Sequence, residues 1–309
     1  MINIIMLNHF QKAGEKHKEI MQLIKKQVKP EWKASEITEF IESKIREDSV
    51  FKNEVNNGIG FPVGVSINDC CAHMTYSPKT RDFTVGQDDI VKIDFGVHQN
   101  GYIVDGATTI YFNESLVYKQ ICKASQVALL NAIKEIGIDK CLSEIGETIQ
   151  EIVQSYEVEI DGKMRGLVPI GSLCGHKIGQ YTIHDGKAVP NVKISYDKRV
   201  EEGEVYAIEP FVTIENGETY EDPNTISHFM LKRTKKFFNN SQKKLYSVFK
   251  TLPFCDKWIS ETINEKEMND LINNKTLQTY PPIYTRNKMP VAQFEKTIGI
   301  YNEKKIVFN

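Results

Sequence analysis

Hydrophobic residues recur along this chain with two periods, and the switching between them outlines the fold. In residues 8–28, rich in Lys, Glu, Gln and Ile, the apolar positions repeat at helical spacing. The predicted helix stops at Pro30, because a proline ring is not accommodated in a helix interior. Ser35 stands as the N-cap of a second predicted helix that runs to about Ser49. Residues 55–88 carry Gly58, Gly60, Pro62, Gly64 and Pro78 and read as loops and short strands. Residues 89–97 and 101–112 are β-branched and aromatic, with Asn100-Gly101 between them. That pair favours a two-residue turn, so a β-hairpin is predicted. Helices are predicted at 116–135 and 142–157, a strand-rich block at 165–215, a Lys- and Asn-rich stretch of helical pattern at 230–278, and strands again at 291–308. The pattern predicts a mixed α/β domain interrupted by a helical insert, and its repeated order of helix, helix, strands suggests two similar halves.

Composition narrows the class. With 309 residues, 40% of them hydrophobic, the chain can build one large core or two small ones. Its 39 basic and 41 acidic residues leave a net charge of -2, which exerts no global pull on DNA or on an anionic membrane. The six cysteines are scattered apart from the adjacent Cys70 and Cys71, and no CxxC pair suggests a thiolate zinc site. A reducing compartment is expected. The N-terminal stretch lacks the features of a signal peptide, and no apolar run approaches the roughly 20 residues that span a membrane. A cytoplasmic protein is the expectation.

The candidate chemistry lies in acids placed among apolar residues. Asp94 and Asp105 each interrupt a predicted strand, eleven residues apart across the turn. In a hairpin with a two-residue loop, an odd separation makes them opposite or diagonal neighbours on one sheet face. Two carboxylates so close repel unless a cation joins them. A metal site is one reading; a turn-capping aspartate beside a solvated one is the other. Glu209 and Glu295 are likewise single acids in apolar runs. Gln293, Glu295 and Thr297 share one face of their strand, which reads as a cavity lining or, by the ordinary wetting of antiparallel sheets, a solvent face. Of the seven histidines, His9, His17 and His98 are expected at the surface, whereas His73, His176, His184 and His228 lie in loop or strand stretches. His176 and His184, eight apart, share a face if their strand is continuous. Four carboxylates with one or two imidazoles suit Mn, Fe, Co or Zn, and two such ions would share bridging carboxylates. With no GxSxG elbow, Walker loop or HExxH helix, the residues read as those of a metal-dependent hydrolase.

Five ordered segments, IGFPVGVSINDCCAH, KIDFGVHQNGYIVDGATT, GHKIGQYTIHDGKAVP, EEGEVYAIEPF and VAQFEKTI, closely resemble the blocks of type 2 methionine aminopeptidases. The resemblance runs from about residue 8 to the end. It implies an α+β pita-bread (creatinase/aminopeptidase-like) fold, with two pseudo-symmetric halves around a curved antiparallel sheet. It further implies one catalytic domain over 1–309, with a helical type 2 insert subdomain at 229–283. It implies two divalent metals (Co, Mn, Fe or Zn) held by Asp94, Asp105, His176, Glu209 and Glu295, with a water between them as nucleophile. Glu209 would also shuttle the proton, His73 would contact the substrate's N-terminus or scissile amide, and His184 would orient the amide and stabilise the tetrahedral intermediate. Phe61, Ile183, Phe211 and His228 match the lining of the methionine pocket, and Tyr280 its mouth. The implied activity is that of a metallo-exopeptidase that removes the initiator methionine from nascent proteins with a small second residue. A monomer is expected.

The separation of 86 positions between Glu209 and Glu295, together with TLPFCDKW at 251–258, resembles the type 2 branch. Lys296, Pro210, Gly106 and Thr108 depart from the usual residues of the family, and a compact, archaeal-length form is expected. Two rivals share the fold. One is a metal-free RNA- or ribosome-binding protein, whose feature would be the basic stretch with Lys232, Arg233, Lys235, Lys236, Lys243 and Lys244; a ribosome contact through it is compatible with the enzyme as well. A solvated helix face with core aromatics explains that stretch better, given the small net charge, and all five implied ligands are retained. The other rival is a proline-directed peptidase, which normally carries a further N-terminal domain.

Overall fold

The computed structural model describes residues 4–51, 55–78, 80–232 and 239–309. Its six α-helices are α1 (Ile4–Gln27), α2 (Ala34–Arg46), α3 (Leu116–Glu135), α4 (Leu142–Gln154), α5 (Asn240–Phe249) and α6 (Glu265–Asn273). The expected two-fold repetition is present. In the first half α1 and α2 pack on an antiparallel sheet ordered Asn57–Ile67, Ile90–Gln99, Tyr102–Tyr111. In the second half α3 and α4 pack together over sheets built from Glu157 to Val307. One of these runs Lys304–Val307, Lys296–Tyr301, Val205–Ile208, Cys174–Ile178, Ala188–Pro190. Each half has its own apolar cluster, the first around Phe10, Ile20, Ile41 and Phe95, the second around Ile121, Ile145, Tyr206 and Ile298.

Several sequence expectations need correction. The second helix is capped by Lys33, whose N–H donates to Glu36 at 2.7 Å, and it ends at Arg46; Ser35 instead gives its N–H and hydroxyl to Asp82. The stretch expected as loops and short strands holds the short strand Cys70–Ala72 but also a longer one than expected, the eleven-residue Asn57–Ile67. Gly60 and Pro62 fall where the register with Ile90–Gln99 shifts, and Gly64 where it resumes; bulges tolerate residues that a regular ladder does not. His17 is fully buried: its ring stacks on Phe95 with centroids 4.1 Å apart, and Nε2 lies 3.0 Å from the Phe95 carbonyl. His98 is buried as well, its Nδ1 accepting the Gly101 N–H at 3.1 Å.

The stretch 230–278 is not purely helical. Helices α5 and α6 pack with a small sheet ordered Phe254–Cys255, His228–Leu231, Leu277–Tyr280, around a cluster that includes Leu245, Phe254 and Leu271. Asn239 caps α5 and Asn264 caps α6, each in a capping box closed by the third helical residue, Gln242 or Glu267. Strands of two to four residues leave too short an alternation to be read against such a helical background.

The two halves join along a seam between Tyr102–Tyr111 and residues 292–301. The Glu295 N–H donates to the Ala107 carbonyl at 3.1 Å. On either side, a threonine hydroxyl replaces a ladder bond. Thr297 Oγ1 donates to the Asp105 carbonyl and accepts the Asp105 N–H, both at 2.8 Å. Thr109 Oγ1 donates to the Gln293 carbonyl at 2.6 Å and accepts the Gln293 N–H at 2.8 Å.

The hairpin turn is as the sequence predicts. Gln99 pairs with Tyr102, and Asn100 and Gly101 both take positive φ, 52° and 78°. A methyl group on Gly101 would also meet the Tyr181 ring at 2.3 Å. Gly101→Ala should therefore lower the stability of the metal-free protein by about 1–3 kcal/mol. Urea denaturation measures this, and an unchanged midpoint would contradict it.

Candidate metal centre

Strand geometry brings the five predicted ligands together from both halves. Asp94 pairs with Ala107 and Asp105 with Gly96, so the two aspartates are diagonal neighbours on one face, as their odd spacing requires. His176 pairs with Ala207, which makes Glu209, two residues on, its diagonal neighbour. Glu295 sits at the break between Ala292–Gln293 and Lys296–Tyr301, directly on the seam. All five line one cavity of about 270 Å³. His176 Nε2 lies 3.6 Å from Asp105 Oδ2 and 3.5 Å from Glu209 Oε1. Asp105, His176 and Glu295 each offer a ligand atom within 4.8 Å of the others.

Electrostatically the cluster is incomplete by itself. Burial pushes the carboxyls of Asp105, Glu209 and Glu295 well above their ordinary range, and the neighbouring carboxyls push them further. Asp94 is raised too, by burial, against the opposing pull of its hydrogen bond from Gln293. Asp94 Oδ1, Asp105 Oδ1 and both Glu295 oxygens are buried without a hydrogen-bond partner in the protein. Orphaned buried acceptors are costly, and a divalent cation satisfies several together. The donor set, oxygen-rich with one imidazole, fits such an ion. Burial, and secondarily His184, depresses the His176 pKa well below 6.5, which leaves its Nε2 lone pair free to coordinate.

The remaining predicted histidines also line the cavity. His73 takes an uncommon positive φ of 66°, and its Nδ1 donates to the Pro281 carbonyl at 3.2 Å, which leaves Nε2 as an acceptor. His184 meets His176 edge to face with centroids 4.4 Å apart, and the Tyr280 hydroxyl lies 3.4 Å from its Nδ1. Burial holds it near a pKa of about 4, with His73 adding to the effect. The pair does not meet by strand parity: the strand ends at Ile178, and the chain folds back through the Gly179–Thr182 bridge before reaching His184. Phe61, Ile183, Phe211, His228 and Tyr280 line the cavity as well.

One residue at the centre was not singled out by the sequence. Gln293 Nε2 donates to Asp94 Oδ2 and to Glu209 Oε2, both at 3.2 Å, and so ties ligands of the two halves together. Its only sequence signal was a shared face with Glu295. That polar face, Gln293, Glu295 and Thr297, is fully buried, which excludes the solvent-face reading. The departures from the family pattern lie outside the ligand set. Lys296 is held down to about 8 by burial and by Lys25 and Lys18 of α1, and the Pro210 carbonyl accepts the Ser125 hydroxyl at 2.7 Å.

Raised carboxyl pKa values mean that a metal must displace protons to bind. His176 is already neutral and contributes none. Metal affinity is therefore expected to rise with pH, with net release of protons on binding. Calorimetric titration with Mn²⁺ in two buffers of different ionisation enthalpy measures the release. Zero release together with a pH-independent affinity would refute the protonated cluster.

Comparisons with known proteins agree with this geometry. The profile of metallopeptidase family M24 matches residues 8–233. Methionine aminopeptidase 2 of Komagataella phaffii is 38% identical over 318 aligned positions, covering 97% of this chain and 69% of its own. Among solved structures, a thermophilic Arx1 superposes with a TM-score of 0.78 at 14% identity, covering all of this chain and 91% of its own. The methionine aminopeptidase of Rickettsia prowazekii does so with a TM-score of 0.65 at 18% identity, covering 100% and 99%. These structural likenesses establish the pita-bread fold, while the sequence identities carry the activity. The chain belongs to metallopeptidase family M24, in its type 2 methionine aminopeptidase branch, whose activity is the metal-dependent removal of N-terminal methionine.

Proposed function

We propose that Asp94, Asp105, His176, Glu209 and Glu295 hold two divalent ions (Co, Mn, Fe or Zn), and that the chain uses them to release initiator methionine from nascent proteins with a small second residue. The observation that carries this reading is the convergence of four carboxylates and one neutral imidazole, with several orphaned oxygens, in a single cavity. Bound metal would neutralise these carboxylates and lower the pKa of a water toward neutrality.

The protein's own groups do the rest. Glu209, beside His176 and steadied by Gln293, accepts the water's proton and passes it to the departing amine. His184 donates from Nε2 to the carbonyl oxygen of the scissile bond as it gains charge, its ring held in place by the Tyr280 hydroxyl 3.4 Å from Nδ1. His73 Nε2 accepts a hydrogen bond from the substrate's N-terminus. Phe61, Ile183, Phe211 and His228 offer the methionine thioether an aromatic and aliphatic wall. The His228 Nε2 lies 3.1 Å from the Pro62 carbonyl, so the ring is anchored and its carbons face the substrate.

Residues 229–283 act in this reading as an accessory subdomain that closes one side of the cavity through Pro253 and Tyr280. Its attachment to α2 through Lys257 and the buried Glu42, 2.7 Å apart, keeps that wall in place. A cytoplasmic monomer acting on protein N-termini fits the neutral net charge and the free cysteines. A ribosome contact would rest on the exposed Lys232, Lys243 and Lys244. Arg233, Lys235 and Lys236, part of the same basic stretch, lie outside the described residues.

Release of methionine from Met-Ala-Ser, assayed with metal analysis of the same preparation, tests the reading. Two equivalents of metal and preference for Met-Ala-Ser over an Xaa-Pro peptide are expected. A preference for Xaa-Pro would overturn the substrate assignment. Asp94→Ala and Glu209→Gln should each lower kcat/KM by on the order of 10³-fold or more while leaving the circular-dichroism spectrum unchanged. Near-normal turnover by either variant would remove that residue from the site.

A further inference from the structure

Behind the metal-facing side of Asp105 lies a second buried polar cluster, made of residues that the proposed chemistry does not use. Asn309 is buried, and its side-chain amide reaches across the seam. Nδ2 donates to the Asp105 carbonyl at 2.7 Å, and Oδ1 accepts the Thr297 N–H at 2.9 Å. The amide therefore occupies the place of a backbone peptide group between two strands. One strand carries Asp105, and the other begins one residue after Glu295. His17 of α1 completes the cluster: its Nδ1 lies 3.3 Å from Asn309 Nδ2, and its Nε2 lies 3.0 Å from the Phe95 carbonyl and 3.3 Å from the Gly106 carbonyl.

The space for this arrangement exists because residue 106 is glycine. A Cβ there would stand 2.2 Å from Asn309 Nδ2 and 2.6 Å from His17 Cε1. The Asn309 contact therefore depends on glycine at position 106. The Asp105 carbonyl accepts both the Thr297 hydroxyl and the Asn309 amide. Its peptide is thus held from two sides, close to the carboxylate that faces Glu295 and His176.

We propose that Asn309, seated against Gly106 and His17, is a positioning residue that sets the separation of Asp105 and Glu295 and thereby the metal affinity of the site. The proposal rests on the metal-site reading above. Groups that orient metal ligands through hydrogen bonds commonly alter affinity on the order of 10–100-fold when removed. Two independent substitutions break the contact. Asn309→Ala deletes the amide, and Gly106→Ala displaces it without touching residue 309.

The experiment is a calorimetric Mn²⁺ titration of the unaltered protein, of each single variant and of the double variant, with the melting temperature of each metal-free protein recorded alongside. Each single variant is expected to bind Mn²⁺ on the order of tenfold or more weakly. The double variant should be no weaker than the weaker single one, because both remove the same interaction. Turnover should fall through kcat, with KM for Met-Ala-Ser held within about twofold, since the methionine pocket is untouched. If the variants only lower the metal-free melting temperature and bind Mn²⁺ like the unaltered protein, Asn309 is a packing residue and the proposal is wrong. Additive losses in the double variant would also overturn it. If the unaltered protein itself binds no Mn²⁺, Co²⁺ or Zn²⁺, the underlying site reading fails instead, and the two failures are distinguishable.

Discussion

Four carboxyl groups share one small cavity, and their mutual repulsion is the constraint around which the molecule is organised. Apolar sheets and helices surround them, so water does not screen the charges. Without a cation the favoured response is to retain protons, and every one of these groups is displaced in that direction. A core alone would gain nothing from such an arrangement. The acids are tolerable because rigid strands hold them at separations that a divalent ion can bridge, and because Gln293 contributes an amide donor where two of them approach.

The rigidity comes from how the halves are joined. A continuous sheet across the seam would need backbone ladder bonds throughout, yet Glu295 must turn its carboxylate inward at that point. The chain resolves the conflict by breaking the strand at Phe294-Glu295 and substituting the hydroxyls of Thr109 and Thr297 for the missing partners. Each hydroxyl both donates and accepts, so no buried backbone group at these positions is left unpaired. The five candidate ligands stand on paired strands or directly beside them: Asp94 and Asp105 in the hairpin, His176 in Cys174–Ile178, Glu209 and Glu295 next to strand ends. That suits groups whose relative positions govern affinity.

Much of this was legible in the sequence, for identifiable reasons. The hairpin and the shared face of Asp94 and Asp105 followed from Asn100-Gly101 and an odd spacing, since a two-residue turn fixes parity. The helices α1, α3 and α4 followed from long amphipathic repeats. Glu209, Glu295 and His176 carried no signal singly and became candidate ligands only through the resemblance of their surrounding segments to one family. Other features were illegible because tertiary contacts decide them. His17 and His98 look like surface histidines until α1 and the hairpin close over them. The strand Asn57–Ile67 hides behind glycines that only bulges explain. Gln293 and Asn309 are ordinary amides in sequence, and the carboxyl and carbonyl groups of the first half that they reach, at Asp94 and Asp105, lie 199 and 204 residues away.

Those long separations bear on when the site comes into being. Asn309 meets Asp105 across 204 residues and His17 across 292, the latter a closure that joins α1 to the far end of the described chain. Closing such loops is entropically unfavourable and slow compared with pairing within either half. The two half-sheets and their helices can therefore form first, each around its own apolar cluster, while Asp94 and Asp105 still face water on the one side and Glu209 and Glu295 on the other. In that order of events the carboxylates leave solvent only as the two halves dock along the seam. Because Glu295 and the strands Lys296–Tyr301 and Lys304–Val307 belong to the second half, the carboxylate cluster cannot close during translation until they have been made, however early the first half-sheet has formed.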